Sequence, residues 1–127
     1  MQLANPPTLP MVTLKVALEL TDRATMPKLR AKSLLLTAYL ERLLEVLKIT
    51  DHCELVTPRD PLKRGCQLSL KFRDGQANAI CEFLRQKDVF VDLRRPDVIR
   101  VAPAPLYNTF DDVRRAALLL AEAVLVC

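Results

Sequence analysis

VIRVAPAPLYN, residues 98–108, is the stretch on which the reading of this sequence turns. Val98 to Ala102 has the composition of a strand, yet Arg100 stands in its middle and two prolines, Pro103 and Pro105, follow at once. Period-two alternation sets Ile99 and Val101 on one face, with Val98, Arg100 and Ala102 on the other. Proline has no N–H to give a sheet, so Pro103 and Pro105 end the pairing and stiffen the loop beyond it. Arg100 then has two readings. Either its stem and charged head face water, or its guanidinium projects from a rigid strand to clamp a carboxylate bidentately.

Working outward, Val89 to Leu93 reads as a further strand, joined to this one at Arg94 to Asp97. On the other side Thr109-Phe110-Asp111-Asp112 resembles a capping box, with aspartate in place of glutamate, opening a helix through Val126. Upstream, Cys66, Leu68, Leu70 and Phe72 alternate with Gln67, Ser69 and Lys71 as a half-buried strand. Asp74-Gly75 marks a turn, and Ala79, Ile80, Phe83 and Leu84 have helical spacing within 76–86. Cys53 to Thr57 is a short strand, separated from the next by the loop PRDPLKRG (58–65).

The first fifty residues are helical in pattern. Leu9, Val12, Val16, Ala17 and Leu20 share one face of a helix entered from Asn5-Pro6-Pro7, where proline keeps its predecessor extended. Thr25 suits an N-cap and Pro27 a first turn, and Leu29, Ser33, Leu36, Leu40, Leu43, Leu44 and Leu47 form a long stripe reaching about Lys48. The order helix, helix, strand, strand, helix, strand, strand, helix predicts an α+β fold. It is a small, mostly antiparallel sheet of about four short strands with helices packed on one face, preceded by two helices. The 127 residues make one domain, with 1–50 leading into a sheet domain over 51–127.

Composition narrows the chemistry. The net charge is +4, from 19 basic and 15 acidic residues, too thin an excess to argue for nucleic acid; aromatics at 5% leave few stacking platforms. No run of eighteen apolar residues suggests a membrane span, and MQLANPPTLP lacks the basic and apolar blocks of a signal peptide, so a cytoplasmic chain is expected. Cys53, Cys66, Cys81 and Cys127 lie far apart and read as buried free thiols rather than a metal centre. His52, the single histidine, is a poor basis for nucleophilic catalysis.

Four segments taken together resemble the C-terminal part of kynureninase, in that family's order and spacing: NPPT (5–8), RAKSLLLTAYLE (30–41), TPRDPLKRGCQLSLKF (57–72) and VFVDLRRPDVIRVAPAPLYNTFDDV (89–113). The similarity covers essentially the whole chain. It implies a pyridoxal-phosphate hydrolase of the aspartate-aminotransferase fold type, cleaving L-kynurenine to anthranilate and L-alanine in tryptophan catabolism. It further implies that Arg100 pairs with the substrate α-carboxylate. Asn5 would lie at the cofactor and substrate edge, contributed across a dimer. Ala4 stands where some members carry a serine facing the substrate, and Tyr107 and Asn108 would shape the turn before the last helix.

The chain departs from the family in what it lacks. No motif matches the Schiff-base lysine, the aspartate that pairs with the pyridinium nitrogen, or the phosphate cup, and Gly65 and Gly75 are the only glycines. Lysines 15, 28, 32, 48, 63, 71 and 87 each match another part of the family sequence. The resemblance therefore implies a C-terminal domain without turnover of its own, binding no cofactor alone. Its partner would be the missing large domain or a second subunit, and apolar surface on Leu9 to Leu20 and around Tyr107 would favour self-association. A non-catalytic interaction or carboxylate-binding module derived from the same domain is the alternative.

Overall fold

The computed structural model describes residues 7–73 and 75–127. Helices α1 (Thr8–Ala24) and α2 (Met26–Val46) come first, followed by strands β1 (Cys53–Leu55) and β2 (Leu68–Phe72), helix α3 (Gln76–Gln86), strands β3 (Asp92–Arg94) and β4 (Val98–Val101), and helix α4 (Phe110–Val126). Single 3-10 turns occupy Ile49–Asp51 and Pro61–Lys63. The four strands form one sheet in the order β1-β2-β4-β3, and every pairing is antiparallel. The expected α+β class holds, with a sheet that is antiparallel throughout.

Burial follows the period-two pattern. Leu68, Leu70, Phe72 and Ile99 point to one face and are buried with Leu36, Leu40 and Leu44 of α2 and Ala117 and Leu120 of α4. Ile80 and Leu84 of α3 close the same core. The other face presents Glu54 and Lys71, paired across β1 and β2, then Ser69 opposite Arg100, and Arg100 opposite Asp92. None of these is buried. The helices therefore cover one face and leave the second open, which is how a strand can hold an arginine.

Every strand differs somewhat from expectation at one end or both: β2 starts at Leu68 rather than Cys66, and for β1 and β3 a hydrogen bond is taken elsewhere. β1 stops at Leu55 rather than Thr57: Thr57 turns its hydroxyl to accept the Ser69 N–H at 2.8 Å, replacing a backbone bond with a side-chain one. β3 covers Asp92–Arg94 rather than Val89–Leu93, because the start of that run is used to end α3. Asp88 takes a left-handed φ of 57°, its N–H reaches the Arg85 carbonyl at 3.1 Å, and the Val89 N–H reaches the Leu84 carbonyl at 2.9 Å. These are the two bonds of a Schellman ending, with aspartate where glycine is usual. β4 ends at Val101, two residues before the buried Pro103, and not at Ala102.

The capping box of α4 forms as read: Thr109 Oγ1 accepts the Asp112 N–H at 3.2 Å and Asp112 Oδ2 accepts the Thr109 N–H at 2.8 Å. Thr25 does separate α1 from α2, but its hydroxyl makes no capping bond among the described residues, and its φ is 64°, an uncommon conformation for a β-branched residue. Asp74 of the expected Asp74-Gly75 turn lies outside the described residues; Gly75 has a φ of 83° and precedes α3. No described helix is long and apolar enough to cross a membrane.

α1 stands apart from the core, with no buried residue. Leu9, Val12, Val16 and Leu20 lie along one side of it, as expected, while Met11, Leu14 and Leu18 lie along the opposite side, and all seven are exposed. In denaturant titrations Leu70→Ala should cost about 2–5 kcal/mol through the cavity it leaves in the core. Thr109→Ala should cost only about 1 kcal/mol through its lost cap. Equal losses would contradict this placement of the core.

Candidate functional site

Arg100 stands on the open face of the sheet, one strand in from the β3 edge. The β3–β4 hairpin turns through Arg95–Asp97, and its register sets Asp92 directly across from Arg100. Arg100 Nε donates to Asp92 Oδ2 at 2.5 Å, and Arg100 Nη2 donates to the same oxygen. Arg94 Nε adds a third bond to Oδ2 at 3.0 Å. Two guanidinium groups thus share one carboxylate, leaving the trio one net positive charge. The Arg100 hydrogen bond, above all, holds the Asp92 carboxyl below the usual aspartate range, with the Arg94 charge helping.

The backbone holds this pair firmly. β4 lies between β2 and β3, so Arg100 is fixed by strands on both sides. Beyond Val101 the chain is tied back: Lys32 Nζ of α2 donates to the Pro105 carbonyl at 2.8 Å, and Asn108 Oδ1 accepts the Ala104 N–H at 2.8 Å. Asn108 shapes the turn as expected. Tyr107 contributes only its backbone N–H to that turn, and its side chain is 76% exposed. Asn5 and Ala4 lie outside the described residues.

A second arginine cluster fixes the 58–64 loop on α2. The Arg64 side chain is 5% exposed and pairs at 2.5 Å with Glu41, whose side chain is 15% exposed, while Arg64 Nη1 donates to the Pro58 carbonyl at 3.3 Å. Arg30 donates to the Pro61 carbonyl, and Arg59 pairs with Glu45 at 2.8 Å. The Glu41 hydrogen bond raises the Arg64 pKa further, so this part-buried guanidinium stays charged. These contacts place the loop that leads into β2.

The other candidates are not gathered here. His52 is exposed beyond the 3-10 turn. Cys53, Cys66 and Cys81 are partly buried free thiols, but Cys127 is exposed, which corrects its expected burial. Burial pushes the Cys53 thiol up to about 11. The Cys81 thiol is raised by burial and then by the Asp92 charge. A depression of about 390 Å³ lies between Val89–Val91 and the start of α4, lined by Pro103, Tyr107 and Asn108, and Arg100 does not line it.

Asp92 and Arg94 were missed as site residues in the sequence. The signal that could have found them is the length of the hairpin turn, which decides who faces Arg100.

The fold is shared with a solved pyridoxal-phosphate enzyme. A crystal structure of Oryza sativa TDC with PLP and tryptamine superposes with a TM-score of 0.60 over 83% of this chain and 25% of that one, at 16% identity. The α+β layer is thus one found within PLP enzymes. Residues 29–120 match the model of the kynureninase C-terminal domain, and the chain belongs to that family. It is 49% identical over 116 residues to the kynureninase of Xanthomonas campestris pv. campestris (strain B100), covering 90% of this chain and 27% of that one. With the kynureninase of Monosiga brevicollis it shares 47% over 128 residues, 98% of this chain and 28% of the other. With that of Coccidioides immitis (strain RS) it shares 50% over 117 residues, 88% and 24%. The chain spans about a quarter of the length of these curated relatives.

The described residues do not by themselves make a seat for pyridoxal phosphate. None of the seven lysines is buried; Lys15 and Lys63 sit near Glu19 and Asp60, each at 3.9 Å, and Lys32 is bonded to the Pro105 carbonyl. Among the described residues no lysine offers a desolvated amine for the imine such cofactors need.

Two measurements check this site. The carboxyl resonance of Asp92 should titrate below the usual aspartate range and move up toward it in Arg100→Ala, where Arg94 alone remains. Because its folded pKa is depressed, Asp92 contributes stability above the ordinary aspartate range and loses it as pH falls through the depressed value. An unchanged midpoint in Arg100→Ala would contradict the pair. At pH 8 Cys53 is thiolate in only about one molecule in a thousand, so iodoacetamide should label exposed Cys127 first. Equal labelling rates would contradict the burial of Cys53.

Proposed function

We propose that this chain does the work of the C-terminal domain in a kynureninase, a pyridoxal-phosphate hydrolase that cleaves L-kynurenine to anthranilate and L-alanine. Arg100 takes the substrate α-carboxylate. The observation that carries this reading is a guanidinium held on the open face of a sheet, with no described helix over it, in a chain of the kynureninase C-terminal family. The cofactor, when bound in the whole enzyme, supplies the electron sink. This chain's part is to bind and orient the carboxylate, which fixes the substrate's position for the chemistry carried out by the rest.

The lysine and phosphate seat come, in this reading, from the part of the enzyme beyond the matched quarter. α1 supports such a partner. A helix with apolar stripes on opposite sides, all exposed, is built to lie between two surfaces. We assign one to the large domain and the other to a second subunit. Asn5 is assigned to the cofactor and substrate edge by family resemblance, and the enzyme to the cytoplasm. Residues 1–127 act as one domain, in which α2 already shares the core with the sheet.

The test is a chimera in which this chain replaces the matching segment of the Xanthomonas campestris kynureninase. L-kynurenine should be consumed, and Arg100→Ala should lower kcat/KM on the order of 100-fold, as loss of a desolvated charge pair does. The isolated chain with added pyridoxal phosphate should show no turnover. A chimera that keeps its kcat/KM in Arg100→Ala would overturn the role of Arg100.

A further inference from the structure

Arg100 presents two edges that can grip a carboxylate: the side edge, Nε with Nη2, and the end edge, Nη1 with Nη2. They are not equally free. Asp92 Oδ2 accepts from both Nε and Nη2, so the side edge is already taken. Arg94 Nε donates to the same oxygen at 3.0 Å, so Asp92 Oδ2 is held by both arginines. Nη1 has no partner among the described residues, and the Arg100 side chain remains 31% exposed.

We infer that Asp92 is a positioning residue that occupies the side edge of Arg100 and leaves only the Nη1–Nη2 edge to a ligand carboxylate. The inference rests on the carboxylate-binding reading of Arg100 and adds the direction of approach. Register supports it: Asp92 and Arg100 are cross-strand partners, so the backbone of the hairpin sets their spacing.

The charge balance supports it too. A lone carboxylate beside Arg100 would cancel the charge that attracts a ligand. With Arg94 sharing Asp92, the trio keeps one positive charge. A free arginine would sample many rotamers and offer either edge; one fixed by Asp92 loses less freedom when a carboxylate arrives.

The two edges are distinguished by nitrogen NMR of the arginine side chains in the 127-residue chain. In the wild type the Arg100 Nε–Hε signal should be shifted downfield and protected from exchange. Asp92→Ala should abolish both effects, while Asp92→Asn, whose amide oxygen still accepts, should keep part of them. Titration with sodium acetate against sodium chloride at constant ionic strength then reads the approach. In the wild type acetate should move the Arg100 Nη resonances and leave Nε–Hε in place; in Asp92→Ala it should move Nε–Hε as well.

An Nε–Hε signal alike in wild type and Asp92→Ala overturns the inference, as does acetate moving wild-type Nε–Hε as far as in the variant. If acetate moves no Arg100 resonance in either protein, the carboxylate-binding reading falls. The hold of Asp92 on the side edge is then decided by the Nε–Hε comparison alone. Backbone amide spectra of both variants confirm that the fold is kept.

Discussion

The constraint on which the structure depends is that its sheet has one apolar face and one polar face, with every core-forming helix on the apolar side. Leu68, Leu70, Phe72 and Ile99 need cover, and α2, α3 and α4 supply it. Burying one such side chain stabilises by roughly 1.5–3 kcal/mol, and four neighbours on adjacent strands fix the register together. Once that register is set, Arg100 has no choice of side. Its neighbours Ile99 and Val101 face the core, so it must face the open surface. The position of the candidate site thus follows from packing on the opposite side of the sheet.

The part-buried Arg64–Glu41 pair plays a complementary part. Arg64 and Glu41 hold a proline-rich loop against α2, and each would be costly to bury without the other. Replacing one partner alone would leave an uncompensated charge beneath the loop that delivers β2. The two arginine clusters have opposite characters: one is closed and ties loop to helix, and the other is open, with Arg100 Nη1 left without a partner among the described residues.

Much of this was legible in the sequence. The alternation in 66–72 marked β2 and its buried face, Thr109 to Asp112 marked the start of α4, and the prolines at 103 and 105 marked the exit from β4. What was not legible is a matter of single hydrogen bonds. Val89 to Val91 has strand composition, but its first N–H is used to end α3, which no local propensity announces. That displacement decides the site. A four-residue join over Arg94 to Asp97 would set Val91 opposite Arg100; the observed three-residue turn sets Asp92 there instead. One residue of register separates an aliphatic neighbour from a carboxylate that accepts hydrogen bonds from the guanidinium. The Arg64–Glu41 pair was invisible for another reason, since the two residues are 23 positions apart with nothing local to link them.

α1 raises a question of cooperativity. Seventeen residues are near the length at which a helix becomes marginal in water without tertiary support, and α1 buries none of its side chains. Its helicity therefore has little thermodynamic connection to the core, and the amides of Thr8 to Ala24 belong to a separate, less protected unit that can open while the sheet stays intact. Whatever surface covers the two stripes must also supply the free energy that makes α1 persist. Docking and local folding are then one event. The measured affinity for that surface would be smaller than its apolar area suggests, by the cost of ordering the helix.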